Sequence, residues 1–131
     1  HNPITGMGTS GPRSGLRGDQ VFLAFRVLGS VLLVPVIEEL FWRGWLMRWL
    51  IRKDFLSVRL GTYAPAAFWI TALLFASEHG SHWEVGLAAG LIYNWWLVRT
   101  ARLADCILAH AVTNACLAVW VVAAGQWQYW Y

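Results

Sequence analysis

Apolar residues run along this chain in four stretches of helical length, with short polar segments between them. The pattern predicts helices over about residues 19–49, 63–78, 84–98 and 103–124. A membrane-spanning helix needs about 20 predominantly apolar residues, and these stretches lie near that length. Gly29, Ser30 and Pro35 are expected to kink the first helix. The predicted fold class is therefore all-α, a polytopic membrane helical bundle with about four transmembrane helices.

The composition also indicates a membrane protein. Hydrophobic residues make up 58% of the 131 residues and charged residues only 13%, whereas an ordinary soluble domain carries about 25% charged residues. The ten tryptophans agree with this, because tryptophan concentrates at membrane–water interfaces. The net charge of +3 is spread over the connectors, so we expect the lipid bilayer as a partner and no nucleic acid. Cys106 and Cys116 have the spacing of neither a metal site nor a disulfide framework.

The chain is expected to have three parts. Residues 1–18 are rich in Gly, Pro and Ser and predict a flexible leader. Residues 19–126 carry the apolar helices, and residues 127–131 predict an aromatic interfacial tail. The chain begins with His1 rather than methionine, which is compatible with a piece of a longer protein.

The basic residues near the helix ends predict the orientation in the membrane. They fall in the first and third connectors, which lie on one side: Arg48, Arg52, Lys53, Arg59, Arg99 and Arg102. The positive-inside rule places that side in the cytoplasm. His79 would then lie near the outer end of its helix, and Glu38 and His110 would lie nearer the cytoplasm. The three residues can then meet only if the second helix is tilted or starts late, or if the first connector re-enters the membrane.

Two adjacent acids and an arginine interrupt the first apolar stretch. Ionised groups inside a membrane helix are costly and mark functional sites by default. Glu39 and Arg43 are four residues apart, so they share a helix face and can form an ion pair. Glu38 is rotated by about 100° and has no partner nearby in sequence. We therefore interpret Glu39–Arg43 as structural and Glu38 as the reacting group; the alternative is that both acids lie at a wet helix end.

Polar residues also interrupt the later apolar stretches. Phe75 and His79 are four residues apart at the end of the second predicted helix, and His110 and Asn114 are four apart near the start of the fourth. Asn94 is a lone amide in the third. Each one alone is typical of a hydrogen-bonded structural group, but together with an unpaired glutamate they predict a site in the core of the bundle.

Three ordered motifs carry a family resemblance: Glu38-Glu39-x-x-x-Arg43, Phe75-x-x-x-His79 and His110-x-x-x-Asn114. Their order on successive apolar helices resembles the CAAX-protease and bacteriocin-processing family of intramembrane endopeptidases. The sequence around the first motif, EELFWRGWLMRW, further resembles the bacterial, exosortase-associated branch of that family. The resemblance implies a multi-pass protein of the bacterial cytoplasmic membrane in which residues 19–126 form the protease domain. It also implies a substrate that is a membrane-anchored protein or peptide, with or without a CAAX-type prenyl group.

The resemblance also implies roles for individual residues. Glu38 would activate the attacking water as general base, and His79 would act beside it. His110 and Asn114 would complete the site, either by ligating a metal or by forming an oxyanion hole. The supporting residues would be Glu39, Arg43 and Phe75.

The part played by a metal stays open from the residues alone. His79, His110 and Glu38 make an acceptable zinc set with an open water position, and a metal-free water activated by glutamate is equally compatible. Two other classes of function also fit the motif residues. One is a non-catalytic membrane scaffold or accessory subunit, and the other is a proton relay.

Overall fold

The computed structural model describes residues 14–130, and within that range it contains helices and turns but no β-strand. Four long helices make up most of it: α1 (Gln20–Trp49), α2 (Pro65–Ser77), α3 (Trp83–Thr100) and α4 (Leu103–Ala124). Single 3-10 turns cover Ser14–Leu16, Phe55–Ser57, Gly80–His82 and Trp127–Tyr129. The all-α helical bundle predicted from the sequence is confirmed. Most of the predicted leader, residues 1–13, lies outside the described residues, as does Tyr131 of the predicted tail.

Local sequence explains where the helices begin and end. Asp19 caps α1, because its Oδ1 accepts hydrogen bonds from the backbone N–H groups of Val21 and Phe22 at 2.9 and 3.1 Å. The second helix begins at Pro65, two residues later than predicted, because proline is favoured in the first turn of a helix. The fourth helix ends at Gly125, whose φ of 65° is readily adopted only without a side chain.

The first helix is not a regular α-helix along its whole length. It is α-helical over Gln20–Leu28, Val34–Glu39 and Met47–Trp49, and π-helical over Gly29–Leu33 and Leu40–Leu46. The first π segment lies where a kink was expected. There the Val34 N–H bonds to the Gly29 carbonyl, and Pro35 has no N–H to donate. The carbonyl of Ser30 is thereby open to a partner from another helix.

Helices α2 and α3 pack closely through small residues. A Cβ atom added at Gly90 would lie 3.1 Å from Phe75 Cδ1 and 3.3 Å from the Cα of Ala72. One at Gly86 would lie 2.6 Å from Cγ of His79. The two glycines are four residues apart, a spacing that lets helix backbones approach in membrane bundles. This close approach places the end of α2 against α3.

Two of the helices in the described part, α1 and α4, are long and apolar enough to cross a membrane. The second helix has only 13 residues. Large apolar side chains remain exposed on the surface, among them Phe25, Val85 and Val119, as suits a bundle whose surroundings are lipid. That all four helices span the membrane stays a prediction.

Candidate functional site

A buried ion pair lies at the centre of the bundle. Nη1 of Arg43 lies 3.1 Å from Oε1 of Glu39, and both side chains are 0% exposed. This is the pair that the i, i+4 spacing predicts. A buried charge is tolerated only when it is paired and its remaining hydrogen-bonding groups are satisfied, so the rest of the guanidinium must find partners on other helices.

Arg43 finds those partners on α3 and α2. Its Nε donates to Oδ1 of Asn94 at 2.9 Å, and its Nη2 donates to the carbonyl of Gly90 at 3.2 Å. The guanidinium also lies over the ring of Phe75, 4.5 Å from the centroid. Asn94 in turn donates through Nδ2 to the carbonyl of Phe68 at 2.8 Å. The arginine therefore ties three helices together.

His110 on α4 lies between the two acids of α1. Its Nδ1 is 2.9 Å from Oε1 of Glu39, and its Nε2 is 4.0 Å from Oε2 of Glu38. Oε1 of Glu39 also accepts from Arg43, so Nδ1 of His110 is the donor in this contact. In the neutral ring Nε2 is then unprotonated and faces Glu38. The ring stacks on Tyr93, with centroids 5.1 Å apart and planes at 24°.

His79 reaches the same place from the end of α2. Its Nδ1–H donates to the carbonyl of Phe75 at 2.9 Å, so Nε2 again carries the lone pair in the neutral ring. The Phe75 ring lies between the two histidines, with centroids 4.8 Å from His79 and 6.0 Å from His110. Both imidazoles interact electrostatically with the carboxylate of Glu38.

The shortness of α2 explains this convergence. From Pro65 to His79 the chain rises by about 20 Å, and from Trp49 back to Glu38 by about 16 Å. His79 and Glu38 therefore lie at similar heights above the connector that joins α1 and α2. His79 lies at the end of its helix, as expected, and the start of that helix at Pro65 is the late start that was one of the three arrangements expected to bring these residues together.

Asn114 lies one helical turn beyond His110. Its Nδ2 donates to the carbonyl of Ser30 at 2.8 Å, the carbonyl that the π segment and Pro35 leave open. The amide nitrogen has two hydrogens, so one remains for another acceptor. The structure thus gathers Glu38, His79 and His110, and it holds Asn114 against α1, eight residues before Glu38.

The two acids differ in their access to the surroundings. The side chain of Glu38 is 37% exposed, whereas Glu39 is fully buried. The Oε2 atom of Glu39 has no hydrogen-bond partner among the described residues. Only Glu38 is placed to meet water or a substrate.

The residues proposed for zinc do not form a compact ligand set. Within residues 14–130 there is no group of three His, Cys, Asp or Glu side chains that could hold a metal ion. Both Nδ1 atoms already donate to protein acceptors, and two of the remaining donors, Nε2 of His110 and Oε2 of Glu38, are 4.0 Å apart. Ligands at about 2.0–2.2 Å from one tetrahedral zinc lie closer together than that.

The sequence interpretation did not identify Tyr93 as a supporting residue, and it identified Asn94 without its partner. Tyr93, which stacks on His110, donates through its hydroxyl to Oγ1 of Thr113 at 2.9 Å, and Thr113 donates to the carbonyl of Ala109 at 3.0 Å. Nothing in the sequence distinguishes Tyr93 from the other aromatic residues of α3. Asn94 did stand out as a lone amide, but its partner Arg43 is 51 residues away, so sequence spacing could not pair them.

Comparison with known proteins gives one family match. A family model described as type II CAAX prenyl endopeptidase Rce1-like matches residues 20–116. The matched region runs from the start of α1 into α4 and includes every residue of the three motifs. Neither the comparison with curated proteins nor that with solved structures gave a match.

Proposed function

This chain belongs to the Rce1-like family of type II CAAX prenyl endopeptidases, which are membrane-embedded proteases, and from that premise we propose how it cleaves its substrate. The reaction is hydrolysis of a peptide bond in a membrane-anchored protein or peptide. Glu38 activates the attacking water, His79 assists it, and His110 and Asn114 bind the oxyanion. The observation that carries this assignment is the contrast between a half-exposed Glu38 and the fully buried Arg43–Glu39 ion pair beside it.

The geometry around Glu38 suits a water nucleophile. Oε2 of Glu38 and Nε2 of His110 are 4.0 Å apart, and both accept hydrogen bonds when Glu38 is ionised and His110 is neutral. One water molecule can donate a hydrogen to each of two acceptors at this separation. Glu38 takes a proton as the water oxygen forms its bond to the carbonyl carbon, and the C=O electron pair moves onto oxygen.

The remaining polar groups serve the later stages. The oxyanion accepts a hydrogen bond from the second Nδ2 hydrogen of Asn114 and, while the proton that Glu38 took from the water resides on Nε2 of His110, from that Nε2–H. The proton then returns to Glu38. When the tetrahedral intermediate collapses, the C–N bond breaks and the carboxylic acid of Glu38 returns the proton to the leaving amine. His79, whose Nδ1–H is fixed by the carbonyl of Phe75, is close enough to Glu38 for an electrostatic interaction, and its proposed role is to orient that proton transfer.

The substrate is expected to reach the site from the bilayer. The site lies inside a bundle whose outer surface carries large exposed apolar side chains, and the family model is named for prenylated substrates. We propose a membrane-anchored substrate that carries a CAAX-type prenyl group and is cleaved near its C-terminus. Reconstituted protein should therefore cleave a prenylated peptide in preference to a peptide of the same sequence without the lipid.

The test is hydrolysis in proteoliposomes. Purified protein is incubated with C-terminal peptides that carry or lack a prenyl group, in water enriched in heavy oxygen, and the products are analysed by mass spectrometry. We expect a new carboxylate that contains one heavy oxygen, and no product with Glu38→Gln. Glu84→Gln is the matched control, because Glu84 is an exposed acid in the first turn of α3. Cleavage by Glu38→Gln at the wild-type rate would refute the proposed role of Glu38.

Metal analysis of the same preparations tests the zinc expectation. The proposed reaction uses side chains of this chain alone, and a zinc-dependent reaction is the alternative that this measurement decides. Wild-type protein and the His79→Ala and His110→Ala variants would be compared by elemental analysis after dialysis. Near-stoichiometric zinc in the wild type, lost in both variants, would replace this scheme with a metal-dependent one.

A further inference from the structure

Two neighbouring residues of α3 contact the surroundings of His110 from different directions. Tyr93 lies against the face of the ring, and Asn94 binds Arg43, which binds the carboxylate that holds Nδ1 of His110. Neither residue belongs to the three motifs. Consecutive helical residues are rotated by about 100°, so Tyr93 and Asn94 point in different directions. Tyr93 contacts the face of the ring, and Asn94 acts on Nδ1 through Arg43 and Glu39.

The contact through Asn94 is a chain of three hydrogen bonds. Oδ1 of Asn94 accepts from Nε of Arg43 at 2.9 Å, Nη1 of Arg43 lies 3.1 Å from Oε1 of Glu39, and the same Oε1 lies 2.9 Å from Nδ1 of His110. The amide of Asn94 is itself fixed, because Nδ2 donates to the carbonyl of Phe68. The guanidinium is planar, so an acceptor at Nε sets the direction of Nη1 as well.

The consequence is a preference for one form of His110. Glu39 uses only Oε1, since its Oε2 has no partner among the described residues. A carboxylate held in this position makes Nδ1 the protonated nitrogen and leaves Nε2 for the reaction. If the carboxylate rotates, the proton can move to Nε2, and the atom that faces Glu38 changes from acceptor to donor.

The contact through Tyr93 sets the plane of the ring. The two rings are stacked at 24°, and the tyrosine hydroxyl is tied to Oγ1 of Thr113 on α4. Thr113 is three residues after His110, on the same helix. Tyr93 is thereby fixed to the helix that carries the imidazole, and it limits the rotation of that ring.

We propose that Asn94 and Tyr93 are positioning residues of the peptidase site, which together fix the tautomer and the ring plane of His110. The inference rests on the proposed function for its kinetic consequence, but its spectroscopic consequence does not depend on catalysis. Loss of the support behind a working histidine lowers activity by about 10–100-fold. The effect falls on kcat rather than on KM, because neither residue is proposed to touch the substrate.

The experiment combines kinetics with nitrogen NMR of the histidine rings in detergent-solubilised protein. The His110 signals are identified by their absence in His110→Gln. We expect the wild type to show a single Nδ1–H form, and Asn94→Ala to show a mixture of both tautomers with kcat lowered about tenfold at nearly unchanged KM. Ile92→Ala, on the same helix at a side chain 57% exposed, is the control that should change neither measurement.

A second pair of variants covers the case in which Asn94→Ala fails to fold. Tyr93→Phe keeps the stacked ring and removes only the hydroxyl, so its activity should fall less than that of Tyr93→Leu, which removes the stack. A folded Asn94→Ala protein with a single Nδ1–H form and wild-type kcat overturns the proposal, and so do wild-type kcat and NMR signals in both Tyr93 variants. If the wild type cleaves no peptide, the proposed function fails, while the tautomer measurement still decides this inference.

Discussion

Glu38 and Glu39 are adjacent and chemically identical, yet they lie in opposite surroundings. Glu39 is 0% exposed and is held by Arg43 and His110 through a single oxygen. Glu38 is 37% exposed, and its Oε2 lies at the longer distance of 4.0 Å from Nε2 of His110. The two acids therefore approach the same imidazole at its two nitrogens, one from the buried network and one from the accessible side.

The difference shows that two adjacent residues of one helix can have separate roles, one in the stability of the fold and one in the reaction. Removing one partner of a buried ion pair leaves an uncompensated charge and lowers the stability of the folded protein. The buried carboxylate therefore has a structural role. A half-exposed carboxylate can form hydrogen bonds to water or to a substrate with little change in the free energy of unfolding. The following variants test this division, each by a change on the buried side or on the accessible side.

The largest effect is expected for Glu38→Gln. Removing the general base should lower kcat by about 10³-fold, while the free energy of unfolding changes by less than about 0.5 kcal/mol, since the side chain is not part of the buried network. Peptide hydrolysis in proteoliposomes and unfolding by SDS titration are the two measurements. A strongly destabilised Glu38→Gln would break the comparison, because it would make both acids structural.

The reciprocal variant is Glu39→Gln. It leaves the buried guanidinium of Arg43 without a countercharge, so the free energy of unfolding should fall by about 3 kcal/mol. The SDS titration measures it, with Glu84→Gln as the control at an exposed acid. Wild-type stability would mean that the Arg43–Glu39 pair contributes nothing to the fold.

A smaller effect is expected for Gly86→Ala, which acts on the accessible side. The new Cβ would lie 2.6 Å from Cγ and 2.7 Å from Nδ1 of His79, so the imidazole must leave its present position. We expect a loss of about 1–3 kcal/mol in stability and a fall in kcat. Gly29→Ala is the matched control, because nothing lies within 4 Å of the added Cβ. Equal behaviour of the two variants would show that the position of His79 is unimportant.

The smallest effect concerns Thr71, in the buried part of α2. Its Oγ1 is buried without a hydrogen-bond partner among the described residues, which is unfavourable for a polar atom. Thr71→Val keeps the shape and removes that atom, so stability should rise by about 1 kcal/mol with kcat unchanged. Thr62→Val is the control, because the Thr62 hydroxyl is exposed and donates to the carbonyl of Arg59. A loss of stability in Thr71→Val would show that the hydroxyl has a partner in the folded protein.

Sequence reasoning went furthest where it depended on a single helix. The helices themselves, the Glu39–Arg43 pair and the His79–Phe75 contact all follow from apolar periodicity and from spacing by four residues. It left the height of His79 open among three arrangements, because that height depends on where α2 begins, and the late start at Pro65 is one of those three. It also gave no sign that Asn94 binds Arg43 or that Tyr93 stacks on His110.

By itself, the sequence determined an all-α chain with apolar helices and the three motifs that match a family of membrane proteases, because these features depend on composition and on the local helical repeat. Only the tertiary structure decided which nitrogen of His110 each acid faces, which carbonyl Asn114 binds and how α3 supports the site. Three of the hydrogen bonds concerned, Arg43–Asn94, Glu39–His110 and Ser30–Asn114, join residues 51 to 84 positions apart. They depend on the rotation and axial offset of whole helices, which side-chain packing sets and which no local spacing records.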